Sequence, residues 1–595
     1  MKKLLLILMF LSISISYAQK TNYNPEISQD DIKKDIYYLA SDAMKGRFTG
    51  SPEARKAGEY IKEQFVQSGL KPLFNGSYFQ EFPFIEDVEL TDNNSLSVIT
   101  NGKGKDVKLR DEFITEPFSG NVKIKAGLVF VGYGISAPKL NYDDYDGIDV
   151  NGKIVIAMRY SPEYNNPHSD FDDFASLRKK AFTAREKGAI GIIFVNGFMP
   201  EDPEDKLTDF RYDRAPGMPD FAAVHIKRNI IDALLKNDGK DLLSVQTEID
   251  STRKPVSFSL TSSADLTTEV KEIHSTGRNV GGILEGSDPV LKNQYIVIGG
   301  HYDHLGMGKV GSLYRGPVPQ IHNGADDNAS GTTGVLELAE KFGSIKDQLK
   351  RSIIFVTFSG EELGLLGSAY LTEHFPVNID SVAAMLNMDM IGRLNDKNEL
   401  IVIGAGTSSQ WKDILAKDNT FGFTLSFNED GLGGSDHQSF TLKNIPVLFF
   451  FTGTHEDYHR PTDDADKINY PGEEKVVKYV YAVASSIDDE TARPDFIKVE
   501  TKASEKMRFK VSIGTVPDYA YQGEGYKLSG VSEGGPAQEA GLKGGDIMTK
   551  FGDRKITNIY DFMYAMGEHA PGDKVPVIVL RDGKEMTFEI VLRGK

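Results

Sequence analysis

The sequence predicts an α/β fold: a mostly parallel, mixed sheet sandwiched by helices, with an α/β insert and a small β-rich domain near the C-terminus. Three observations support this fold class. From Gln294 onward, short apolar strands alternate with amphipathic helices, which is typical of a parallel sheet covered on both faces. Residues 121–196 carry several β-rich runs around one helix. At 595 residues, the chain is too long for one hydrophobic core, so several domains are expected.

Two helices are expected before the insert. The first begins with a capping box at Ser28, and four apolar residues share its buried face: Ile32, Ile36, Leu39 and Ala40. The second starts at Ser51-Pro52 and stops at Gly69. In the insert we expect three strands and one helix, at Gly127 to Gly134, Lys153 to Arg159, Ala189 to Val195, and Leu177 to Lys187.

The alternating segment supplies the main sheet. Its expected strands are Tyr295 to Ile298, Ser352 to Phe358, Val382 to Met388 and Val447 to Phe451, and its expected helices are Thr332 to Phe342 and Leu363 to His374. Ligand sites in such sheets form at the carboxyl ends of the strands. A polar linker at 494–503 then leads into short strands with glycine-rich turns, from about residue 507 to the end.

Composition narrows the function classes. The net charge of −18 argues against nucleic acid as the main partner. Lys2 and Lys3, an apolar run and Ala18 at a small-x-small site predict that residues 1–18 are a cleaved signal peptide. No later stretch reaches the roughly 20 apolar residues of a membrane span, so we expect a periplasmic or extracellular protein without a transmembrane segment. Because the chain has no cysteine, any metal site must use His, Asp and Glu.

Five short polar stretches follow predicted strands or lie in the loops after them. They are Gly299 to His304, Gly324 to Gly331, Ser359 to Glu362, Asn387 to Met390, and Tyr458 to Asp463. Seven of the eleven histidines lie between His301 and His459, so imidazole is concentrated where the carboxylates are. Carboxylates that converge at one sheet edge repel one another unless a cation neutralises them. Nitrogen and oxygen ligands without sulfur suit a zinc-type ion in a catalytic site.

Each stretch alone has a simpler structural explanation. A histidine after a strand is commonly a hydrogen-bonded structural residue. An acidic pair such as Glu361-Glu362 favours the N-terminus of a helix, which these two glutamates are expected to start. Asp326-Asp327-Asn328 can be a turn. All five stretches at the strand ends of one sheet favour a metal centre instead.

The order of these residues resembles the co-catalytic zinc aminopeptidases of clan MH (peptidase family M-twenty-eight). The resemblance covers residues 28–90 and 271–490. Its most specific parts are Gly-Ala-Asp-Asp-Asn-Ala-Ser-Gly at 324–331 and Gly-Glu-Glu-Leu-Gly-Leu-Leu-Gly-Ser at 360–368. It implies the zinc aminopeptidase fold, peptide substrates and two zinc ions (Zn²⁺) per chain, although carboxylate-rich sites accept other divalent metals.

The resemblance also implies a role for each site residue. The implied metal ligands are His301 and Asp389 for one zinc ion, Glu362 and His459 for the other, and Asp327 as the bridge. Asp303 would orient His301 as a supporting carboxylate, which fixes the tautomer and ring angle. Glu361 would be the general base. Two metals about 3.5 Å apart can share one hydroxide and polarise the scissile carbonyl.

Some assignments stay open at this point. The family match gives no ligand role to four nearby histidines: His304, His322, His437 and His455. By spacing alone, either His455 or His459 can be the last ligand, and Tyr458-His459 fits the family pattern better. Well-known members carry an aromatic hydroxyl shortly before the pair that corresponds to Ser435-Asp436, where this chain has Leu432. The group that contacts the oxyanion or the substrate is therefore either His437 or another residue. In the second case, His437 is a structural histidine.

The remaining segments resemble two accessory domains. Residues 91–270 resemble a protease-associated domain, with Gly132-Tyr133-Gly134 among the matching features, and they interrupt a catalytic domain at 19–90 and 271–493. Residues 504–595 resemble a PDZ domain. The peptide-binding loop would be Gly523, Glu524, Gly525 and Tyr526. Its backbone N–H groups would receive peptide C-termini, unless the domain only packs against the catalytic body.

The sequence therefore predicts a secreted two-zinc metallopeptidase, most consistent with an aminopeptidase that releases N-terminal residues. One alternative is a carboxypeptidase of the same family that removes acidic residues. Another is a glutaminyl cyclase-like enzyme, although such pockets depend on tryptophan and this chain has only Trp411. A third is a binding protein that has lost its metals, which the complete ligand set disfavours.

Overall fold

The computed structural model describes most of the chain in two stretches. The first is residues 25–499, apart from 165, 167–168, 200–203, 215–216 and 315. The second is residues 511–594, apart from 518–524, 532–533, 557–561, 563–564, 567–568 and 570. The predicted signal peptide at residues 1–18 lies outside the described residues. None of the helices in the described part of the chain is both long and apolar enough to cross a membrane.

The main sheet has nine strands and is parallel in its middle. Its neighbouring parallel strands, in spatial order, are Ser352–Phe358, Tyr295–His301, Val382–Met388 and Val447–Phe451. The other strands of this sheet are Lys71–Pro72, Phe79–Leu90, Val270–Leu284, Glu399–Ile403 and Thr424–Asn428. Antiparallel pairs join the middle to both outer parts of the sheet. The predicted mixed sheet is confirmed, with four of its eight strand pairings parallel.

Helices cover both faces of the main sheet, as the sequence predicts. One face packs against Gln29–Leu39, Pro52–Gln67, Gly331–Ser344, Trp411–Asp418 and Tyr470–Asp489. The other face packs against Leu366–Glu373 and His437–Thr441. The first helix starts as expected, because Ser28 Oγ accepts the N–H of Asp31 at 3.3 Å. The capping box is only half formed, since the N–H of Ser28 donates to Glu337 instead.

The prediction that a helix starts at Glu361 and Glu362 is wrong. The helix begins at Leu366, and both glutamates lie in the turn before it. Gly360 and Gly364 have φ of 77° and 102°, and Leu365 has φ of 63°. These left-handed conformations, which glycine adopts at little cost, interrupt any helical run before Leu366. The turn, and not a helical period, therefore directs the two carboxylates.

A second sheet of eight strands is formed by the part of the sequence between the first two helices and the segment of alternating strands and helices. Its strands are Ser95–Thr100, Lys103–Val107, Phe113–Thr115, Val122–Val131, Ile154–Met158, Gly191–Val195, Ala222–Ile226 and Ser257–Thr268. Its helices are Leu177–Glu186, Arg228–Asn237 and Leu242–Thr252. A separate set of buried apolar residues fills each face of this sheet. The three predicted strands and the predicted helix are all present, with shifted ends.

The C-terminal region is β-rich, as predicted. A six-stranded sheet contains Thr515–Pro517, Tyr526–Val531, Ile547–Phe551, Arg554–Lys555, Lys574–Arg581 and Lys584–Val591. Val511–Ser512 pairs separately with Arg593–Gly594, and Pro536–Glu539 is a short helix. Buried Leu528, Met548 and Val577 belong to a core that is distinct from those of the other sheets.

Candidate active site

The carboxyl ends of the parallel strands carry the candidate site. His301 is the last residue of Tyr295–His301, and Asp389 directly follows Val382–Met388. Glu361 and Glu362 follow Ser352–Phe358. The two remaining predicted ligands come from loops: Asp327 just before the helix Gly331–Ser344, and His459 after the strand Val447–Phe451. The sheet thus gathers residues that are far apart in sequence at the edge where such folds bind ligands.

Two groups of ligand-type atoms share Asp327. His301 Nε2 lies 3.3 Å from Asp327 Oδ1 and 3.3 Å from Asp389 Oδ2. His459 Nε2 lies 3.3 Å from Asp327 Oδ2 and 3.2 Å from Glu362 Oε2. Asp327 therefore presents one oxygen to each group. The structure brings all five predicted ligands together.

These distances fit zinc ions. Bonds of about 2.0 to 2.2 Å to nitrogen and oxygen place two ligands of a tetrahedral zinc ion about 3.3 to 3.5 Å apart. The four histidine–carboxylate distances, 3.2 to 3.3 Å, lie at this spacing. The donor set of two imidazoles and three carboxylates, without sulfur, is also suited to catalytic zinc.

The electrostatics of the site favour cations. Burial alone lowers the pKa of His459, but Glu362 and Asp327 outweigh it and raise this pKa to about 11. Burial likewise lowers the pKa of His301, while the carboxylates around it, Asp389 first, raise it well above its usual range. The carboxylates are thus strong enough to hold positive charge at both imidazoles. Divalent cations bound between these carboxylates would neutralise their charge in the same way.

Glu361 lies beside this cluster without belonging to either close group. Its Oε2 is 3.9 Å from His301 Nε2, and its side chain is 13% exposed. Burial raises the pKa of Glu361 well above its usual range; His301 opposes this rise, and the carboxylates of Glu362 and Asp389 add to it. A carboxylate with a raised pKa at the edge of a metal cluster is suited to proton transfer.

Asp303 and Gly311 fix the imidazole rings from behind. His301 Nδ1 is 3.2 Å from the main-chain oxygen of Asp303 and 3.7 Å from its carboxylate. That carboxylate accepts the hydroxyl of Thr49 at 2.7 Å and the N–H of Glu361 at 3.3 Å. His459 Nδ1 is 2.9 Å from the main-chain oxygen of Gly311. In both rings the rear contact leaves Nε2 directed at the carboxylates, which is the arrangement of metal-binding histidines.

Sequence reasoning missed Arg47, which holds two of the ligand loops. Its side chain is fully buried and donates to main-chain oxygens of Tyr302 at 2.7 Å, Asn323 at 2.7 Å and Gly324 at 2.9 Å. These acceptors stand next to the loops that carry His301 and Asp327. A fully buried arginine is rare. No local pattern marks this one, since three of its four main-chain acceptors are 255 to 277 residues away and the fourth is the oxygen of Leu39.

Tyr458 was also missed as a functional candidate. Its ring stacks on the His459 imidazole with centroids 3.9 Å apart. Burial raises the pKa of Tyr458, and so do four site carboxylates, Asp327 and Glu362 foremost. The phenol therefore lies within electrostatic range of the acidic cluster. Its position directly before His459, a predicted ligand, was the available signal.

Two of the four open histidines, His455 and His437, belong to neither close group of ligand-type atoms. His455 Nε2 lies 3.0 Å from Asp326 Oδ2, so His459, and not His455, reaches Asp327 and Glu362. The His437 ring is fully buried against Phe449, with centroids 4.7 Å apart, and burial lowers its pKa to about 3. A side chain without exposed surface cannot touch a substrate, which argues against the predicted oxyanion or substrate contact.

The structure describes only part of the predicted peptide-binding loop of the PDZ-like region. Gly523 and Glu524 lie outside the described residues, and Gly525 has φ of 112°. Tyr526 is 3% exposed, its ring stacks on Phe562, and its hydroxyl donates to Thr515 Oγ1 at 2.9 Å. The Tyr526 side chain is therefore a core residue. Binding of peptide C-termini by this loop stays a prediction.

Two family profiles match parts of the chain. The profile of peptidase family M28 matches residues 279–484, and the profile of the PDZ domain matches residues 508–592. A probable zinc metalloprotease of Pyrenophora tritici-repentis is 41% identical over 117 residues, which are 20% of this chain and 24% of that protein. Aminopeptidase YwaD of Bacillus subtilis is 28% identical over 257 residues, 41% of this chain and 52% of that protein.

A longer match is leucine aminopeptidase 2 of Trichophyton equinum, 27% identical over 455 residues, 72% of this chain and 76% of that protein. The chain spans about a quarter of the first of these curated relatives and about half of the second. Among solved structures, an aminopeptidase from Aneurinibacillus sp. strain AM-1 is 25% identical with a TM-score of 0.46. That alignment covers 80% of this chain and 96% of the other.

Proposed function

Because residues 279–484 belong to peptidase family M28, we propose that this protein is an exported two-zinc aminopeptidase that releases residues from the free N-termini of peptides. The observation that carries the proposal is the shared carboxylate. Each oxygen of Asp327 lies 3.3 Å from Nε2 of a different histidine. A carboxylate divided in this way is suited to bridging two metal ions.

We assign the ligands from the close pairs. His301 and Asp389 would hold one zinc ion, Glu362 and His459 would hold the other, and Asp327 would contact both. When bound, zinc supplies Lewis acidity that polarises a carbonyl and makes water a stronger acid. The other groups of the chain then handle the protons and position the substrate.

Glu361 is our candidate for the general base. It would take a proton from the attacking water and pass it to the leaving amine. Its raised pKa supports this role, since a base works best when its pKa lies near the working pH. The hydrogen bond from its N–H to Asp303 fixes the start of the turn that carries it.

Tyr458 is our candidate for the group that stabilises the oxyanion. Its ring stacks on the His459 imidazole, and the site carboxylates raise the pKa of its phenol. A positioned O–H donor strengthens its hydrogen bond as charge develops on the carbonyl oxygen. This assignment replaces His437, whose ring is buried.

The separate sheets and cores of the chain support a catalytic domain with two accessory domains. Residues 91–270 hold the eight-stranded sheet with its own core, and we propose that they form a protease-associated domain inserted between 19–90 and 271–493. The paired strands Phe79–Leu90 and Val270–Leu284 connect this insert to the main sheet. A PDZ domain follows at 508–592.

Paired peptides test whether the enzyme recognises the N-terminus or the C-terminus of its substrate. We expect acetylation of the N-terminus to lower kcat/KM about 10- to 100-fold. A charge-assisted hydrogen bond to a protonated amine, worth about 1.5 to 3 kcal/mol, is then lost. The acidic cluster around Glu361 and Asp389 motivates this expectation. Mass spectrometry of free and acetylated forms of one peptide measures it.

The same assay separates the alternatives. Equal cleavage of both peptides, with release of the C-terminal residue, would replace the aminopeptidase by a carboxypeptidase. Loss of ammonia from an N-terminal glutamine would indicate a cyclase. A protein that binds peptides but leaves every one intact would be a binding protein.

A further inference from the structure

His304 contacts a proposed metal ligand without being one of the five. Its ring is fully buried, and Nδ1 lies 2.6 Å from Glu362 Oε1. The same nitrogen is 3.9 Å from Asp327 Oδ1. By proximity alone, His304, Asp327 and Glu362 form a group that can hold a metal ion. His304 is therefore either a sixth ligand or a support for Glu362.

The interatomic distance distinguishes these two roles. Atoms bound to one tetrahedral zinc ion lie about 3.3 Å apart, which is close to the 3.2 Å between His459 Nε2 and Glu362 Oε2. At 2.6 Å, the contact between His304 and Glu362 is instead a short hydrogen bond to a carboxylate. His304 Nδ1 is thus the donor, and Glu362 Oε1 is the acceptor.

The surroundings fix this donor in place. The main-chain N–H of His304 donates to the main-chain oxygen of Arg47 at 3.3 Å. Gly324 has φ of 59°, and a Cβ at that position would lie 2.5 Å from Cδ2 of the His304 ring. Only glycine therefore leaves room for this ring. The His459 ring lies at 5.9 Å on another side, in an edge-on arrangement.

We propose that His304 is a positioning residue for the zinc site of Glu362 and His459. Its Nδ1–H holds Oε1 of Glu362, which leaves Oε2 as the single oxygen directed at the metal. This inference rests on the proposed two-zinc function. Groups that orient a ligand in this way are typically worth about 10- to 100-fold in metal affinity.

The test is zinc affinity, measured on metal-free protein by competition with a chromophoric chelator. His304→Leu keeps the volume of the side chain but removes the donor. We expect the affinity of one of the two sites to fall about 10- to 100-fold, while both sites still fill at saturating zinc. His304→Asn, whose amide can reach the position of Nδ1, should restore most of the affinity. His374→Leu, at an exposed histidine, is the matched control.

Two outcomes would overturn the proposal. Unchanged affinity of both sites in His304→Leu would remove the positioning role. Loss of one zinc ion at saturating metal would make His304 a ligand. If circular dichroism shows that the leucine variant does not fold, His304→Asn is compared with His304→Ser, whose hydroxyl is too short to reach Glu362. Wild-type protein that binds no zinc would instead overturn the proposed function.

Discussion

Glu361→Gln is expected to lower kcat by about 10²- to 10⁴-fold, the usual contribution of general acid–base catalysis. The amide keeps the size and hydrogen-bonding reach of the side chain but cannot accept the proton of the attacking water. Zinc content should stay at the wild-type level, because Glu361 belongs to neither close ligand group. KM should change little, since the loss lies in the transition state.

Steady-state kinetics and metal analysis on the same preparation measure both expectations. Glu373→Gln, at the exposed end of the helix Leu366–Glu373, is the matched control and should behave as wild type. Near-normal turnover of Glu361→Gln would remove it as the base.

Asp327→Asn is expected to have a larger effect, with turnover more than about 10⁴-fold below wild type. Its two oxygens face two histidines, so this one change removes a ligand charge from both proposed metal positions. An amide is neutral and binds zinc poorly through its oxygen, so both ions should leave. The loop itself should keep its place, because Asp463 accepts the N–H groups of both Asp326 and Asp327 at 3.0 Å.

Metal content after gel filtration and the thermal unfolding temperature at several zinc concentrations check this prediction. Zinc should raise the unfolding temperature of wild-type protein but not of Asp327→Asn, because a ligand stabilises only the state that binds it. Asp380→Asn, at an exposed position, serves as the control. A variant that keeps two zinc ions would show that Asp327 is not the bridge.

The sequence predicted the four parallel strands in the middle of the main sheet because they are largely apolar, whereas the other five strands of that sheet were not predicted. Ser352–Phe358, Val382–Met388 and Val447–Phe451 were predicted with their observed ends. Each strand is buried along nearly its whole length, so a continuous apolar run marks it without reference to the rest of the fold. Within the insert, five of the eight strands were not predicted. One of them is Ala222–Ile226, where His225 interrupts the apolar run.

The candidate ligands come from local sequence motifs, whereas the residues that hold them in place do not. Nothing near Arg47 in the sequence indicates that its guanidinium will meet Tyr302 and Gly324. The contact between His304 and Glu362 spans 58 residues. The turn at Gly360 to Leu365 was mistaken for a helix, because an acidic pair before an apolar run is also how helices begin. Long-range hydrogen bonds and positive φ values therefore limit what the sequence alone reveals about this site.

The zinc content of the active protein tests the central claim most directly. Purified protein should be freed of loose metal by gel filtration, analysed by inductively coupled plasma mass spectrometry, and assayed for peptide hydrolysis in the same fractions. We predict two zinc ions per chain, activity lost on chelation, and activity regained as zinc is returned. Full activity with one zinc ion or fewer per chain would contradict the account.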